Sequence, residues 1–412
     1  MGPDAATTAQ EEEMGEETTG IKESDKQPDQ DTTCRRRREP AQQHEQHHHH
    51  HHHHLHLDNL LIPFKKLLHT RSTTTPPPDT TNHPKKDAIL PVNPIRSMSN
   101  PTTLREKYGT PQTLIGRGAN GSCYAVRKPN HASANPTTPQ YACKEFRPRH
   151  KHESEKEYMK KLSAEFCIGS QVHHPNLLRT RDLVLDGDHI YTVMPYCPHG
   201  DLYTYIQTHP KLSIDQITHL FSQLIHGVAY LHKTGIAHRD LKPENILFSK
   251  PEHIKIIDFG SADVYKPPTS TFNRLSHGKC GSGPYIPPEE HASPASYDAR
   301  KVDVWACGII LMAMLTHRFP WANARMSDVD YAAFVKYVEA IKKGDNVRPP
   351  KIFESLPLGP RELVFKMLQP DPTTRVQIDQ VLEDEWFKKV DEGETPDDDD
   401  DDEQKSDAEC GR

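Results

Sequence analysis

The stretch HRDLKPEN, at residues 238–245, places a histidine, an arginine, an aspartate, a lysine, a glutamate and an asparagine in one short turn. It follows a segment from Ile214 to Leu231 in which apolar residues recur at helical spacing. Burying charged groups costs free energy unless other groups compensate them. A surface loop would tolerate these charges but would not explain their order, so the stretch predicts partner residues elsewhere in the chain.

The apolar residues that could form a core are concentrated in the middle of the chain. They make up only 34% of the 412 residues, and both ends are polar or acidic. Such ends bury too little apolar surface to offset the entropy lost on ordering. We therefore predict one two-lobed domain between disordered tails, with these limits: N-terminal tail 1–107, N-lobe 108–194, hinge 195–198, C-lobe 199–388 and acidic tail 389–412.

Charge and cysteine usage narrow the class of protein. The formal net charge is −7, so nothing in the overall charge points to nucleic acid. The eight cysteines show no C-x-x-C pair, and the polar N-terminus carries no signal peptide, which predicts a reducing, cytosolic or nuclear location. The longest apolar run, residues 307–315, is too short to span a bilayer and predicts a buried helix.

Three segments of the N-terminal tail leave alternatives open. Four arginines at 35–38 fit a nuclear address, a contact with an acidic partner, or a solvated charge run. The histidine tract at 47–54 fits metal binding or low-complexity drift. Residues 57–72 contain clustered apolar side chains, interrupted by Pro63, that could dock on the folded domain or on a membrane surface.

The N-lobe pattern is that of strands with one helix. From Thr113 it predicts a strand, a glycine-rich turn and a second strand. A third strand at 141–146, a helix at 153–169 and a hairpin at 182–194 follow. The sequence therefore predicts five antiparallel strands and one helix in this lobe.

The pattern becomes helical after Pro195. Ser213 and Gln216 form a capping box at the start of one helix, and Gly235 ends it. The fold class is thus α+β, with a small β-rich lobe before a larger, mainly helical lobe. Clefts between lobes are common ligand sites.

Three glycines, Gly116, Gly118 and Gly121, have the spacing G-x-G-x-x-G between two predicted strands. A Rossmann site would place them before a helix, whereas a turn between strands fits a flexible flap over phosphates or an ordinary hairpin. Lys144 lies on the next strand, and Glu165 falls on the apolar stripe of the predicted helix. Because an inward carboxylate needs a cationic partner, we expect the two to pair and to place an ammonium against nucleotide phosphates.

Six features in this order resemble the motif series of the eukaryotic protein kinases, over about residues 112–387. They are the three glycines, Lys144, Glu165, HRDLKPEN, DFG at 258–260 and PPE at 287–289. The resemblance implies the two-lobed kinase fold. It also implies an enzyme that transfers the γ-phosphate of ATP to Ser or Thr hydroxyls of protein substrates, with ATP and Mg²⁺ as cofactors.

The resemblance assigns a role to each matching residue. Asp240 would accept or orient the proton of the substrate hydroxyl, and Lys242 would neutralise charge on the moving γ-phosphate. Asn245 and Asp258 would hold Mg²⁺. The nucleotide-binding residues that it implies are Ile115, Gly116, Gly118, Gly121, Cys123, Ala142, Lys144, Glu165, Met194, Cys197 and Leu247.

Other matching residues concern the branch of the family and its structural contacts. Lys242 and Ser282 resemble the serine/threonine branch. The family pattern implies that Glu289 pairs with Arg375. It also implies that Asp303 accepts backbone N–H groups of the catalytic loop, and that the HRDLKPEN histidine packs structurally.

A narrower resemblance is carried by YACKEF, GIAHRDLKPEN, CGSGPYIPPEE and YDARKVDVWACGII. These segments look like the fungal kinases that regulate nutrient and ion permeases, which include the nitrogen permease reactivator and halotolerance kinases. The likeness implies protein substrates that regulate permeases and a cytoplasmic location, with peripheral attachment to the plasma membrane as an open alternative. An upstream activating kinase is also left open.

The chain departs from the kinase pattern at two positions near the nucleotide. Cys123 stands where the glycine loop usually ends in valine, so it is either a small apolar substitute or a reactive thiol. Gly169 stands one turn after Glu165, where a bulkier residue often holds this helix inward, so we expect a less rigidly held helix.

The activation segment, residues 258–289, carries four hydroxyl side chains that we expect as phosphosites: Thr269, Ser270, Thr271 and Ser276. A phosphate there, near Arg239, would order the segment by charge-assisted hydrogen bonds. The resemblance to the kinase family implies that Asp201 and Glu244 attract basic residues before the target hydroxyl. Two other functions stay open, a non-catalytic nucleotide-binding scaffold and an enzyme acting on a small molecule.

Overall fold

The computed structural model describes residues 103–118, 121–127, 140–267, 270–292 and 295–391. The predictions for the arginine run, the histidine tract, residues 57–72 and residues 392–412 of the acidic tail lie outside these residues. Within them, a small β-rich lobe precedes a larger helical one, which confirms the α+β, two-lobed architecture. No helix in these ranges combines the length and apolar composition needed to cross a bilayer.

The described residues of the N-lobe form an antiparallel sheet of five strands in the order β1-β2-β3-β5-β4. The strands are β1 (Thr110–Gly118), β2 (Gly121–Arg127), β3 (Gln140–Phe146), β4 (Asp182–Asp186) and β5 (His189–Pro195). Strand β3 is central, and it pairs with β2 on one side and β5 on the other. Residues of β3 therefore lie in the middle of the sheet, with a hydrogen-bonded strand on each side.

A short helix, α1 (Leu104–Lys107), precedes the sheet and packs on β4. The Leu104 amide donates to Asp186 at 3.2 Å, and the Lys107 ammonium and Tyr108 hydroxyl both reach Asp182, at 2.5 and 2.8 Å. Leu104 is 2% exposed. The limit drawn from the sequence at residue 108 leaves this helix in the tail, whereas its contacts attach it to the N-lobe.

The long helix of the N-lobe is α2 (Glu155–Gln171), and it approaches its neighbours closely at Gly169. The Thr180 amide donates to the Gly169 carbonyl oxygen at 2.8 Å. A β-carbon on residue 169 would lie 2.4 Å from Thr180 Oγ1 and 3.5 Å from Phe259 Cδ2. The glycine thus permits close packing of α2 against the start of the activation segment, where the sequence suggested a looser helix.

The C-lobe is built around two long helices, as its apolar spacing predicts. Ser213 and Gln216 form the expected capping box. Trp305 and its neighbours in the apolar run are buried on every side. The helices are α3 (Leu202–Thr208), α4 (Ile214–Lys233), α5 (Ala299–Thr316), α6 (Val329–Lys342), α7 (Lys351–Glu354), α8 (Leu358–Met367), α9 (Ile378–Leu382) and α10 (Glu385–Asp391).

The described part of the C-lobe also contains three short strand pairs. They are β6 (Ile236–Ala237) with β9 (Asp263–Val264), β7 (Ile246–Lys250) with β8 (His253–Ile256), and β10 (Ser276–His277) with β11 (Ser296–Tyr297). The β7–β8 hairpin brings the end of HRDLKPEN next to DFG, because the Ile257 amide donates to the Asn245 carbonyl oxygen at 3.0 Å.

Candidate active site

The register of the N-lobe sheet gathers four of the sequence-predicted residues on one face. Cys123 lies opposite Lys144, and Ala142 lies opposite Met194. Directly opposed residues of an antiparallel pair share a face, and so do residues two apart along one strand. Cys123, Ala142, Lys144 and Met194 therefore line the same side of the sheet.

Lys144 connects this face to the helix α2 and to the C-lobe. Its ammonium nitrogen lies 2.6 Å from Glu165 Oε1 and 2.9 Å from Asp258 Oδ1. Burial alone would lower the pKa of Lys144, but the two carboxylates outweigh that effect and raise it. Burial would raise the pKa of Asp258, but Lys144 outweighs it and the pKa is lowered. The site thus holds a charged ammonium against an ionised carboxylate at neutral pH.

The catalytic loop brings Asp240, Lys242 and Asn245 together. The Lys242 ammonium lies 3.0 and 3.2 Å from the Asp240 carboxylate oxygens. The Asn245 side-chain nitrogen donates to the Asp240 carbonyl oxygen at 2.8 Å and to its Oδ2 at 3.3 Å. The Lys242 ammonium and the Asn245 side-chain amide therefore both lie within hydrogen-bonding distance of the Asp240 carboxylate.

A buried aspartate holds the main chain of this loop. Asp303 is fully buried and accepts the amides of His238 and Arg239, both at 2.8 Å. Its second neighbour on the helix side is His232, whose Nε2 lies 2.9 Å from Asp303 Oδ2. The structure thus has the backbone contact expected for Asp303, and it adds His232, which the sequence reading did not include.

Two residues next to the reacting groups have unusual backbone conformations. Arg239 and Asp258 both have φ of 65°, in the left-handed region. Residues other than glycine keep such conformations only where the surroundings over-determine them. Asp303 supplies that restraint at Arg239, and Lys144 together with the Gly260 amide supplies it at Asp258.

The other expected structural contacts are also present. Arg375 donates to both oxygens of Glu289, at 2.6 and 2.9 Å, and its side chain is fully buried. The His238 ring lies 2.9 Å from the Ile257 carbonyl oxygen through Nε2. This position between the catalytic loop and DFG fits a packing role for His238.

The remaining nucleotide-binding candidates are placed by their strands. Ile115, Gly116 and Gly118 are exposed on β1, Cys197 follows β5 and Leu247 lies on β7. Gly121 has φ of 150°, and a β-carbon there would lie 1.9 Å from the Glu145 carbonyl oxygen, so the loop end requires glycine. The ion pairs of this site join Lys144 with Glu165 and Asp258.

The Cys123 thiol lies in a setting that disfavours its reactive form. Burial raises its pKa to about 11, against the opposite effect of Lys144. The thiolate is the nucleophilic form of cysteine, so this thiol is almost wholly protonated at neutral pH. Of the two sequence-based alternatives, the small apolar substitute is favoured over the reactive thiol.

Two residues that the sequence reading missed lie beside Arg239. The Tyr297 hydroxyl accepts from Arg239 Nη2 at 2.7 Å, although 58 positions separate the two residues. Glu290 is 2% exposed and accepts the Cys280 amide at 2.7 Å. A second glutamate directly after PPE was a usable signal for Glu290, whereas the sequence offers none for Tyr297.

The matched region is that of a known family. Residues 110–387 match the family described as the protein kinase domain, which is more than half of the chain. Serine/threonine-protein kinase hal4 of Schizosaccharomyces pombe is 41% identical over 286 residues, covering 69% of this chain and 44% of that protein. Serine/threonine-protein kinase HAL4/SAT4 of Saccharomyces cerevisiae is 40% identical over 289 residues, covering 69% and 47%.

A third relative concerns the narrower resemblance, to fungal kinases that regulate permeases. The nitrogen permease reactivator protein of Saccharomyces cerevisiae is 33% identical over 312 residues, covering 67% of this chain and 38% of that protein. The chain thus matches less than half the length of these relatives. Their names confirm the suspected group of fungal kinases. With its ordered motifs, its two-lobed fold and these matches in agreement, the chain belongs to the protein kinase domain family.

Proposed function

We propose that the chain is an active serine/threonine protein kinase that transfers the γ-phosphoryl group of ATP to hydroxyls of protein substrates. The observation that carries this proposal is the Lys144–Asp258 contact of 2.9 Å, which joins the two lobes beside Glu165. Phosphoryl transfer depends mostly on positioning and charge neutralisation. The ammonium of Lys144, the carboxylates of Asp240 and Asp258 and the side-chain amide of Asn245 are suited to that task.

Within this proposal Asp240 and Lys242 are the catalytic pair. Asp240 orients the substrate hydroxyl and accepts its proton. The Lys242 ammonium, 3.0 Å from Asp240, neutralises negative charge on the γ-phosphate during transfer. The clamp by Asp303 keeps the loop in one conformation. Because the loop is held before substrate arrives, little reorganisation is needed during transfer.

The residues present fit a divalent cation that shares its ligands with a nucleotide. Among the described residues, no group of three or more His, Cys, Asp or Glu side chains could hold a metal alone. Asn245 and Asp258 offer an amide and a carboxylate oxygen, which are the hard donors that Mg²⁺ prefers. When bound with ATP, Mg²⁺ would neutralise charge on the phosphates. Asn245 is oriented for this, because its nitrogen is held by Asp240.

The nucleotide itself would lie on the sheet face defined above. We assign Ala142, Met194, Cys197 and Leu247 to the part of the site that would bind adenine. The glycine-rich loop, with Ile115 and Cys123, would cover the bound nucleotide. Lys144 would meet the phosphates, with Glu165 holding its orientation at 2.6 Å. These assignments follow the family pattern residue by residue.

For substrates, we propose proteins with basic residues before the target hydroxyl, among them regulators of permeases at the plasma membrane, reached from the cytoplasm. Glu244 is exposed within the catalytic loop, and Asp201 caps α3 through a 2.7 Å bond from the Thr204 amide. The permease link is supported by the name of one relative, the nitrogen permease reactivator protein. A peptide library without a preference for Arg or Lys would contradict the basic-residue part.

A radiolabel transfer assay tests the activity. Wild type should label a protein or peptide substrate, and Asp240→Asn should lose at least about a hundredfold of that rate, since proton transfer by a positioned side chain contributes about 10²–10⁴-fold. Asp330→Asn, an exposed aspartate in the first turn of α6, serves as the matched control and should behave as wild type. Equal labelling by wild type and Asp240→Asn would mean that a contaminant supplies the signal and would leave the scaffold alternative.

A further inference from the structure

One nitrogen of the Arg239 guanidinium, Nη2, is hydrogen-bonded to groups of this chain, whereas its Nε is buried without a hydrogen-bond partner among the described residues. Its Nη2 donates to the Tyr297 hydroxyl at 2.7 Å and to the His277 carbonyl oxygen at 3.1 Å. The Tyr297 hydroxyl in turn donates to the Gly278 carbonyl oxygen at 2.6 Å. Arg239 of the catalytic loop is therefore connected to the activation segment in two ways, directly at His277 and through the Tyr297 phenol at Gly278.

The same tyrosine is fixed by a strand pair. Tyr297 lies opposite Ser276 in the β10–β11 pair and is 3% exposed. The Ser276 hydroxyl donates to Asp263 Oδ2 at 2.5 Å, and the Arg274 amide donates to the Tyr265 carbonyl oxygen at 2.7 Å. The segment is thus attached both to the strand that carries Tyr297 and to its own earlier part.

The expected phosphosites are placed elsewhere. The Ser270 hydroxyl donates to the Phe272 carbonyl oxygen at 2.8 Å, and Thr271 is exposed. Ser276 is 1% exposed, and a phosphate on it would face the carboxylate of Asp263. None of these three described hydroxyls bonds to Arg239; Thr269 lies outside the described residues. The contacts therefore do not favour the sequence-based expectation of a phosphate beside Arg239.

We propose, resting on the kinase function proposed above, that Tyr297 is a positioning residue that organises the catalytic loop and the activation segment without a phosphate. Its hydroxyl supplies an acceptor for Arg239 Nη2, and its donated bond holds the segment at Gly278. Arg239 has a left-handed backbone and directly precedes Asp240, so its anchoring restricts the position of the reacting carboxylate. The unphosphorylated chain is then already arranged for transfer.

The full chain, treated with phosphatase, is assayed as wild type, Tyr297→Phe and Tyr265→Phe, with intact mass measured afterwards to exclude new phosphate on the segment. Tyr265→Phe is the matched control, because it also removes a buried hydroxyl that donates to a carbonyl oxygen, that of His232 at 2.5 Å, without touching Arg239. We expect wild type to keep its rate within about twofold. Tyr297→Phe should lose about tenfold or more in kcat at an unchanged KM for ATP, which is the pattern of a lost transition-state interaction.

A second set of variants separates a positioning role from a merely structural one. Arg239→Gln and Tyr297→Phe should be non-additive in kcat, because each removes the same contact. Thr269→Ala/Ser270→Ala/Thr271→Ala should keep the phosphatase-treated rate of wild type within about twofold, since these hydroxyls are not needed. Additive losses, or a triple variant that is inactive at wild-type stability, would overturn the proposal.

Backbone hydrogen exchange at residues 276–280 provides a readout that needs no activity. These amides should be protected in the phosphatase-treated wild type and in Tyr265→Phe, and should exchange faster in Tyr297→Phe. A wild type whose segment becomes protected and whose kcat rises more than about tenfold only after phosphorylation would overturn the proposal. If no preparation transfers phosphate, the proposed function fails, and the exchange comparison still decides the role of Tyr297.

Discussion

Lys144 and Asp258 stand 114 positions apart in the chain and meet across the two lobes, with 2.9 Å between Nζ and Oδ1. The contact is part of a group of three, because Glu165 reaches the same ammonium from the helix α2. A buried ammonium is stable only if carboxylates compensate its lost hydration. The relative position of the lobes is therefore coupled to the charge of a single lysine.

Glu165→Gln should weaken ATP binding. The substitution leaves Lys144 with Asp258 alone, so its ammonium is no longer held in place from the helix side. We expect the KM for ATP to rise about tenfold, which corresponds to about 1.4 kcal/mol. Glu145→Gln, which removes a carboxylate of the same sheet that pairs with His189 instead, is the control, and its KM should stay at the wild-type value. Equal KM values for the two variants would contradict the role of Glu165.

Glu290 should make folding stability depend on pH. Burial raises the pKa of its carboxyl from 4.5 to about 7. Between these values the folded chain holds the proton and the unfolded chain has released it, so the free energy of unfolding falls as pH rises through this window. Glu290→Gln cannot ionise and escapes this loss. Relative to wild type, it should gain about 1–3 kcal/mol of stability between pH 5 and pH 8.

Urea denaturation at several pH values measures this difference. Glu383→Gln is the control, because Glu383 is exposed and its removal should leave the wild-type pH profile unchanged. Parallel profiles for wild type and Glu290→Gln would show that the carboxyl of Glu290 titrates in the folded chain as it does in the unfolded one.

Breaking the Glu289–Arg375 pair should strongly destabilise the C-lobe. The Arg375 side chain is fully buried, and its guanidinium lies 4.8 Å from the centre of the Trp305 ring. Glu289→Ala leaves a buried charge without its carboxylate, which costs about 3–5 kcal/mol. The exposed Glu383–Lys388 pair offers the comparison, where Glu383→Ala should cost less than about 1 kcal/mol. Similar unfolding midpoints for the two variants would refute the difference.

Gly169→Ala should destabilise the chain, although alanine is the better helix former. In an exposed helix the change would stabilise by about 1 kcal/mol. Here the new β-carbon meets Thr180 Oγ1 at 2.4 Å, so we expect a loss of about 1–3 kcal/mol. Thr180→Ala removes the opposing atom, and in the double variant part of the loss should be recovered. A Gly169→Ala variant as stable as wild type would show that α2 can move away at no cost.

Much of the site could be predicted because its chemistry depends on local sequence. Glu165 falls on the apolar stripe of a predicted helix, and an inward carboxylate requires a cation, so a pair with Lys144 could be expected. HRDLKPEN and DFG each occupy a few consecutive residues, so the order of their side chains is visible directly. The fold class followed from the same patterns, because periods of two and of 3.6 residues distinguish strands from helices.

The contacts around Arg239 could not be predicted in this way. Arg239 and Tyr297 are separated by 58 positions, and no period or motif relates them. Their meeting depends on the β10–β11 pair, two strands of two residues each, which carry almost no sequence pattern. The expectation of a phosphate beside Arg239 came from the family pattern, and it stays a prediction, whereas the Tyr297 contact was not visible in the sequence.

The sequence by itself determined the two lobes, the order of the motifs and the residue types that surround the cleft, because periodicity and local motifs encode them. Only the tertiary structure decided which atoms meet: Asp258 with Lys144, Tyr297 with Arg239, and Thr180 with Gly169. The physical reason is that such contacts depend on how distant segments pack together. The free energy of that packing is distributed over the whole core, so no single segment of the sequence determines it.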